Sequence, residues 1–99
     1  MKHNLDLVIN RYSIKEIEEN IIFFDDWDWV KISTYQYLTD NFIEKYSDKV
    51  DWDQISYFQY LSETFIRKHI NKINFKCLIY NKNISEEIKN EINTLKEII

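Results

Sequence analysis

A chain of 99 residues with a net charge of −4 has room for one modest core and not for two. It is 44% hydrophobic and 30% charged, which excludes a disordered chain, and its lack of glycine excludes phosphate-cradling loops. A single cysteine, Cys77, excludes an internal disulfide and points to a reducing compartment.

Proline and alanine are also absent while Ile, Asn, Lys, Tyr and Phe abound, the usage expected of a very AT-rich genome. The opening MKHNLDLVIN lacks the apolar core and cleavage site of a signal peptide, and no apolar run approaches a membrane span. These features predict a cytoplasmic protein (host-cell cytoplasm if the source is viral) with no membrane partner.

Residues 4–11 read equally as a short strand or a first helical turn. Ser13 with Glu16 forms a capping box, and Ile14, Ile17, Ile21 and Phe24 keep a helical period, so a helix is expected over about 14–24. Beyond it the chain repeats itself without gaps every 23 residues: Trp29, Trp52, Phe75; Ile32, Ile55, Leu78; Leu38, Leu61, Ile84; Thr39, Ser62, Ser85; Phe42, Phe65, Ile88. A fixed period in the twenties with apolar positions held signals stacked repeats. Ile17 aligns with Phe42 and Phe65, which makes the N-terminal segment a degenerate cap.

Each unit reads as two short helices. Asp28, Asp51 and Asn74 stand as N-caps of the first helix, and Thr39, Ser62 and Ser85 as N-caps of the second. Ile55, Tyr57/Phe58 and Leu61 progress as a buried helical stripe from Trp52. Strand rivals helix over 73–83, where Ile73, Phe75, Cys77 and Ile79 alternate, but the repeat register favours helix. The last helix, about 86–98, carries Ile88, Ile92, Leu95 and Ile99 on one face and closes the stack. Without glycine, Asn20, Asn71, Asn81 and Asn83 are the residues best suited to helix ends. The expected fold is all-α, a short stack of about three 23-residue helix–turn–helix units: an N-terminal cap over 1–26, units over 27–49 and 50–72, and a degenerate third unit with its capping helix over 73–99.

The string DWDxISxxQxLSExFIxK around Trp52, Ile55, Ser56, Gln59, Leu61, Ser62, Glu63, Phe65 and Ile66 resembles a tandem repeat of giant DNA viruses of the mimivirus kind, with scattered phage and bacterial relatives. The earlier copy matches at Trp29, Ile32, Ser33, Gln36, Leu38, Phe42 and Ile43. The third copy departs at Phe75, Ile79 and Lys82. The resemblance spans roughly 27–92 and implies a binding array of viral or mobile-element origin.

Residues 1–53 carry twelve acids and six bases, whereas residues 54–99 carry five acids and seven bases. Asp25, Asp26 and Asp28 cluster near Trp27, and Asp48, Asp51 and Asp53 near Trp52. Without a glycine for the sharp turn of a cation loop, these acids read as caps and as an acidic partner-binding patch rather than a metal site. Arg67, Lys68, Lys72, Lys76 and Lys82 form a basic run, but the acidic balance of the chain argues against nucleic acid as a partner. His3 and His69 are far apart in sequence, and no frame joins Cys77 to His69 as a nucleophile pair. No catalytic residue, cofactor or metal is expected.

Tyr35, Tyr37, Tyr57 and Tyr60 fall beside the stripe, and repeats stack equivalent positions into ladders that become binding surfaces. Ser33/Ser56 and Gln36/Gln59 read as inter-helix hydrogen bonds. The expected function is a non-enzymatic protein-binding module, an inhibitor of a host or phage protein of the anti-CRISPR or anti-defence type. The alternative is a self-assembling homo-oligomer joining acidic end to basic end.

Overall fold

Each of the seven α-helices among the described residues begins on a side-chain oxygen that accepts a backbone N–H of its first turn. In the computed structural model, which describes residues 3–98, the caps are Ser13 for α1 (Ile14–Glu19), Asp25 for α2 (Asp26–Tyr35), Thr39 for α3 (Asp40–Lys45) and Asp51 for α4 (Trp52–Phe58). Ser62 caps α5 (Glu63–Lys68), Asn74 caps α6 (Phe75–Leu78), and the Ser85 hydroxyl takes the Ile88 N–H at the start of α7 (Glu86–Ile98). A cap of this kind stabilises a helix by about 1 kcal/mol. That matters here, because helices of four to ten residues cannot stand alone in water.

The architecture is all-α, with no strand among the described residues. The 73–83 segment is the short helix α6 flanked by turns, and residues 7–9 form a turn rather than a strand. The expected 14–24 helix is interrupted: α1 stops at Asn20, and a 3-10 turn over Ile21–Phe23 follows. No described residue takes a positive φ, so no helix ends in a left-handed cap. Asn20 does end α1, but Asn71, Asn81 and Asn83 are not C-caps. Extended Gln36 and Gln59 end α2 and α4, Tyr46 and His69 end α3 and α5, and Ile79 ends α6.

Asp28 is not the cap of α2. Asp25 is: its Oδ1 accepts the Asp28 N–H at 2.8 Å, and Asp28 Oδ2 accepts the Asp25 N–H at 3.0 Å. This reciprocal box starts the helix one turn earlier than the 23-residue register implies. Asp26, Trp27 and Asp28 form that extra turn. The first helices therefore shorten along the chain from ten residues to seven to four.

The extra turn also shifts the N-terminal register. Ser13 lies 26 residues before Thr39, so Ile17 corresponds to Ile43 and Ile66, and all three are fully buried. It does not correspond to Phe42 and Phe65. In the last unit this position is Lys89, also buried at 5% exposure.

Helix α2 packs on α4 and α4 on α6, giving a body of 47 × 22 × 19 Å. The core runs its length through Leu7, Ile17, Ile32, Ile43, Ile55, Ile66, Leu78 and Ile92. Each such side chain stabilises the fold by about 2 kcal/mol on burial. Trp29 and Trp52 sit against the aromatic residues of α3 and α5: Trp29 by Phe42 and Tyr46, Trp52 by Phe65 and His69. The buried stripe expected along α4 holds at Ile55 and Leu61 but fails at Tyr57 and Phe58, which face solvent. The helix ends at Phe58, and extended Gln59 turns inward in its place.

Candidate functional site

The periodic polar residues are used inside the molecule. Gln59 Nε2 donates to the carbonyls of Ser33 (2.9 Å) and Gln36 (2.7 Å), and its Oε1 accepts the Leu38 N–H at 3.1 Å. Gln36 repeats the pattern one unit earlier, donating to the Leu7 and Asn10 carbonyls, both at 2.7 Å, and accepting the Tyr12 N–H at 2.9 Å. In the third unit Lys82 stands in register with Gln59, yet Asn81 reaches the corresponding carbonyls of Ser56 (2.9 Å) and Gln59 (2.8 Å). The Ser33 and Ser56 hydroxyls accept the N–H of Asp51 and Asn74, each at 2.9 Å, joining every unit to the next. An internal ladder with buried, satisfied groups has nothing left for a ligand.

Lys89 ends this ladder. The Ser33 and Ser56 carbonyls are taken by Gln59 and Asn81, and the next carbonyl in register is that of Ile79. The Lys89 ammonium takes it at 3.1 Å and meets Glu86 at 3.3 Å. A cation at the carbonyl end of α6 is also the sign the helix dipole favours.

The aromatic residues outside the core gather on one side. Tyr35 and Phe58 end α2 and α4, Tyr37 and Tyr60 follow in the extended segments, and Tyr57 stacks on its register equivalent Tyr80 at 6.2 Å between ring centroids. Tyr37 and Tyr60 are 77% and 73% exposed, and Trp27, on the extra turn of α2, is 72% exposed.

Three open grooves meet at Phe58. One, of 290 Å³, runs between Tyr35, Tyr37 and Tyr60 with Arg11 at its edge. The second, of 480 Å³, lies between Tyr57 and Tyr80 beside Lys82 and Asn83. The third, of 470 Å³, is bounded by Val8, Trp27, Val30, Lys31 and Tyr57. Arg11 lies 4.9 Å over the Tyr37 ring, a cation–π contact that holds the guanidinium on the face.

All four expected tyrosines thus share this face, and the structure adds Phe58, Trp27, Tyr80 and Arg11. Tyr80 was visible as the 23-residue successor of Tyr57. Phe58 was hidden by its place in a stripe that reads as core, and Trp27 by a register that placed it ahead of the helix.

The expected acids do not join the tyrosines. Asp25, Asp26 and Asp53 lie in the N-terminal turns of α2 and α4, at the opposite ends of those helices from Tyr35 and Phe58, and Asp48 lies in the turn after α3. Asp25 is occupied as a cap, Asp53 accepts from the Asn74 side chain at 2.8 Å, and Asp26 and Asp48 are exposed without a partner among the described residues. Burial pushes the Asp28 carboxyl up, but the Asp25 N–H and His3, 3.1 Å away, outweigh it and hold the group below its ordinary range. Among the described residues, no group of three or more His, Cys, Asp or Glu could hold a metal ion.

His69 packs on Trp52 and Phe65, with Nε2 2.6 Å from Glu44 Oε2, so it is not poised beside Cys77. Burial and then Asp53 and Asp51 push the Cys77 thiol up, which disfavours the thiolate a nucleophile requires. The basic run is partly neutralised: Arg67 binds Glu63 (2.8 Å) and Glu91 (2.7 Å), Lys68 pairs with Glu44, and the Lys72 ammonium lies 5.7 Å from the Trp52 ring.

No helix among the described residues is long and apolar enough to cross a membrane. No protein-family model matches the chain, and neither a curated protein nor a solved structure matches it.

Proposed function

We propose that this protein is a non-enzymatic protein-binding module that engages its partner through the aromatic face. One observation carries the reading: Trp27, Tyr37 and Tyr60 stay largely in water around a shared set of grooves although the core beneath them is filled. Large exposed aromatic side chains grouped on one side mark a contact surface, and Tyr and Trp are the residues that dominate such interfaces. With the resemblance to giant-virus repeats, the reading takes the form of a viral or mobile-element inhibitor that occupies a surface of a host protein. Head-to-tail self-assembly has weaker support, because two of the five cations of the basic run, Arg67 and Lys68, are already paired within the chain.

The test is capture from lysate of a bacterial host by wild-type protein and by a Tyr37→Ala/Tyr60→Ala variant with an unchanged helical spectrum. A discrete partner held by the wild type and lost by the variant is the expected result. Capture that is indifferent to the substitutions, or only a concentration-dependent ladder of self-associated species, overturns it.

A further inference from the structure

We infer that the occupant of this face is an acidic segment of a partner protein, with bulky side chains seated around Phe58 and carboxylates on Arg11, Lys31 and Lys82. The inference deepens the protein-binding reading and rests on it.

The charges on the face are sorted. In a chain with more acids than bases, each of the three grooves has one cation at its border and no carboxylate. Arg11, Lys31 and Lys82 form no ion pair among the described residues, as is also true of Lys15, Lys49, Lys72 and Lys76, so what distinguishes the three is their place on the grooves. The hydroxyls of Tyr35, Tyr37, Tyr57, Tyr60 and Tyr80 make no hydrogen bond to a described residue, so these exposed side chains keep five donors without an internal partner. Tyrosyl and guanidinium or ammonium donors converge well on a carboxylate.

The carbonyl ends of α2 and α4 point toward this edge and would repel an anion if bare. They are partly covered: Gln59 takes the Ser33 and Gln36 carbonyls, Asn81 those of Ser56 and Gln59, and the Asn83 side chain that of Phe58 at 2.9 Å.

The same aromatic and cationic groups could stack single-stranded nucleic acid. Against it stand the number and setting of the charges. Affinity for a polyanion grows with each phosphate neutralised, and this face offers three cations on a protein of net charge −4. A short acidic peptide needs no more than that, and electrostatic complementarity would select it over neutral segments.

The test uses the full chain to select binders from a displayed random library of 12-residue peptides. Fluorescence anisotropy then measures the selected peptides, their Asp→Asn and Glu→Gln counterparts, and an oligo-thymidine strand. Enrichment of Asp and Glu beside aromatic or leucine residues is expected. Neutralising a peptide or using the Lys31→Gln/Lys82→Gln variant should weaken binding about fivefold per lost charge pair, the upper end for exposed pairs. Selected peptides without acidic enrichment, neutral counterparts bound equally well, no peptide selected at all, or tighter binding of oligo-thymidine each overturn the inference. If the lysate partner is still lost on Tyr37→Ala/Tyr60→Ala substitution in those cases, the protein-binding reading stands and only the acidic segment falls. If that partner binds regardless of the tyrosines, the reading itself falls.

Discussion

The inside and the outside of this protein repeat with the same 23-residue period, yet they differ in how far their hydrogen-bonding capacity is used. Gln36, Gln59 and Asn81 are buried, and each spends its side-chain amide on backbone groups, two of them carbonyls of the preceding unit. Tyr37 and Tyr60, one residue further along from the two glutamines, spend none of theirs. Period alone does not distinguish them. A position can recur because the fold needs it or because a surface uses it, and the difference appears only when the partners of each group are counted.

The comparison breaks first at Gln59. Replacing it with Ala removes three hydrogen bonds and leaves the Leu38 N–H and the Ser33 and Gln36 carbonyls buried between α2 and α4. At roughly 1–3 kcal/mol for each unsatisfied group, a loss of about 4 kcal/mol in urea unfolding is expected. A loss under about 1 kcal/mol would mean the ladder is not what joins the units.

Lys89 is the next probe. In Lys89→Met the Ile79 carbonyl loses its donor while the apolar stem remains, so about 1–2 kcal/mol should disappear. An unchanged or higher melting temperature would show that the buried ammonium costs as much as its hydrogen bond returns.

Asp28 sharpens the contrast through pH. Its carboxyl is held below the ordinary value of about 3.9 in the folded protein, so the unfolded chain takes up the proton first as acid is added. Its contribution is complete above that ordinary value and fades as pH falls through the lowered folded value. In Asp28→Asn the acid limb of a stability-against-pH curve should flatten, and an identical limb in both proteins would refute the assignment.

The smallest effect is expected outside. Tyr37→Ala/Tyr60→Ala should change stability by no more than about 0.5 kcal/mol per site, because the two rings stay largely in water. A much larger loss would move the tyrosines from surface to scaffold.

Some of the fold was open to reading along the chain. Side-chain caps are local chemistry, so Ser13, Thr39, Asp51, Ser62, Asn74 and Ser85 could be placed from their neighbours alone. The candidate site was half legible. Its tyrosines showed as polar aromatics between core positions, but Phe58 carries no polar mark, and only the end of α4 at that residue turns it outward.

The helical class, the 23-residue period and the internal use of Ser33, Ser56, Gln36 and Gln59 follow from the sequence by itself, because periodicity and side-chain chemistry are properties of short stretches. Tertiary structure decided where the period slips. Asp25 competes with Asp28 for the cap of α2, and the reciprocal bonds between them resolve it three residues early. Asn81 replaces Lys82 in the ladder because the shorter α6 presents a different residue to the carbonyls of Ser56 and Gln59. Packing also separated Asp25, Asp26 and Asp53 from Tyr35 and Tyr57, since they stand toward opposite ends of the same helices, and a linear pattern does not record which end of a helix faces a neighbour's groove.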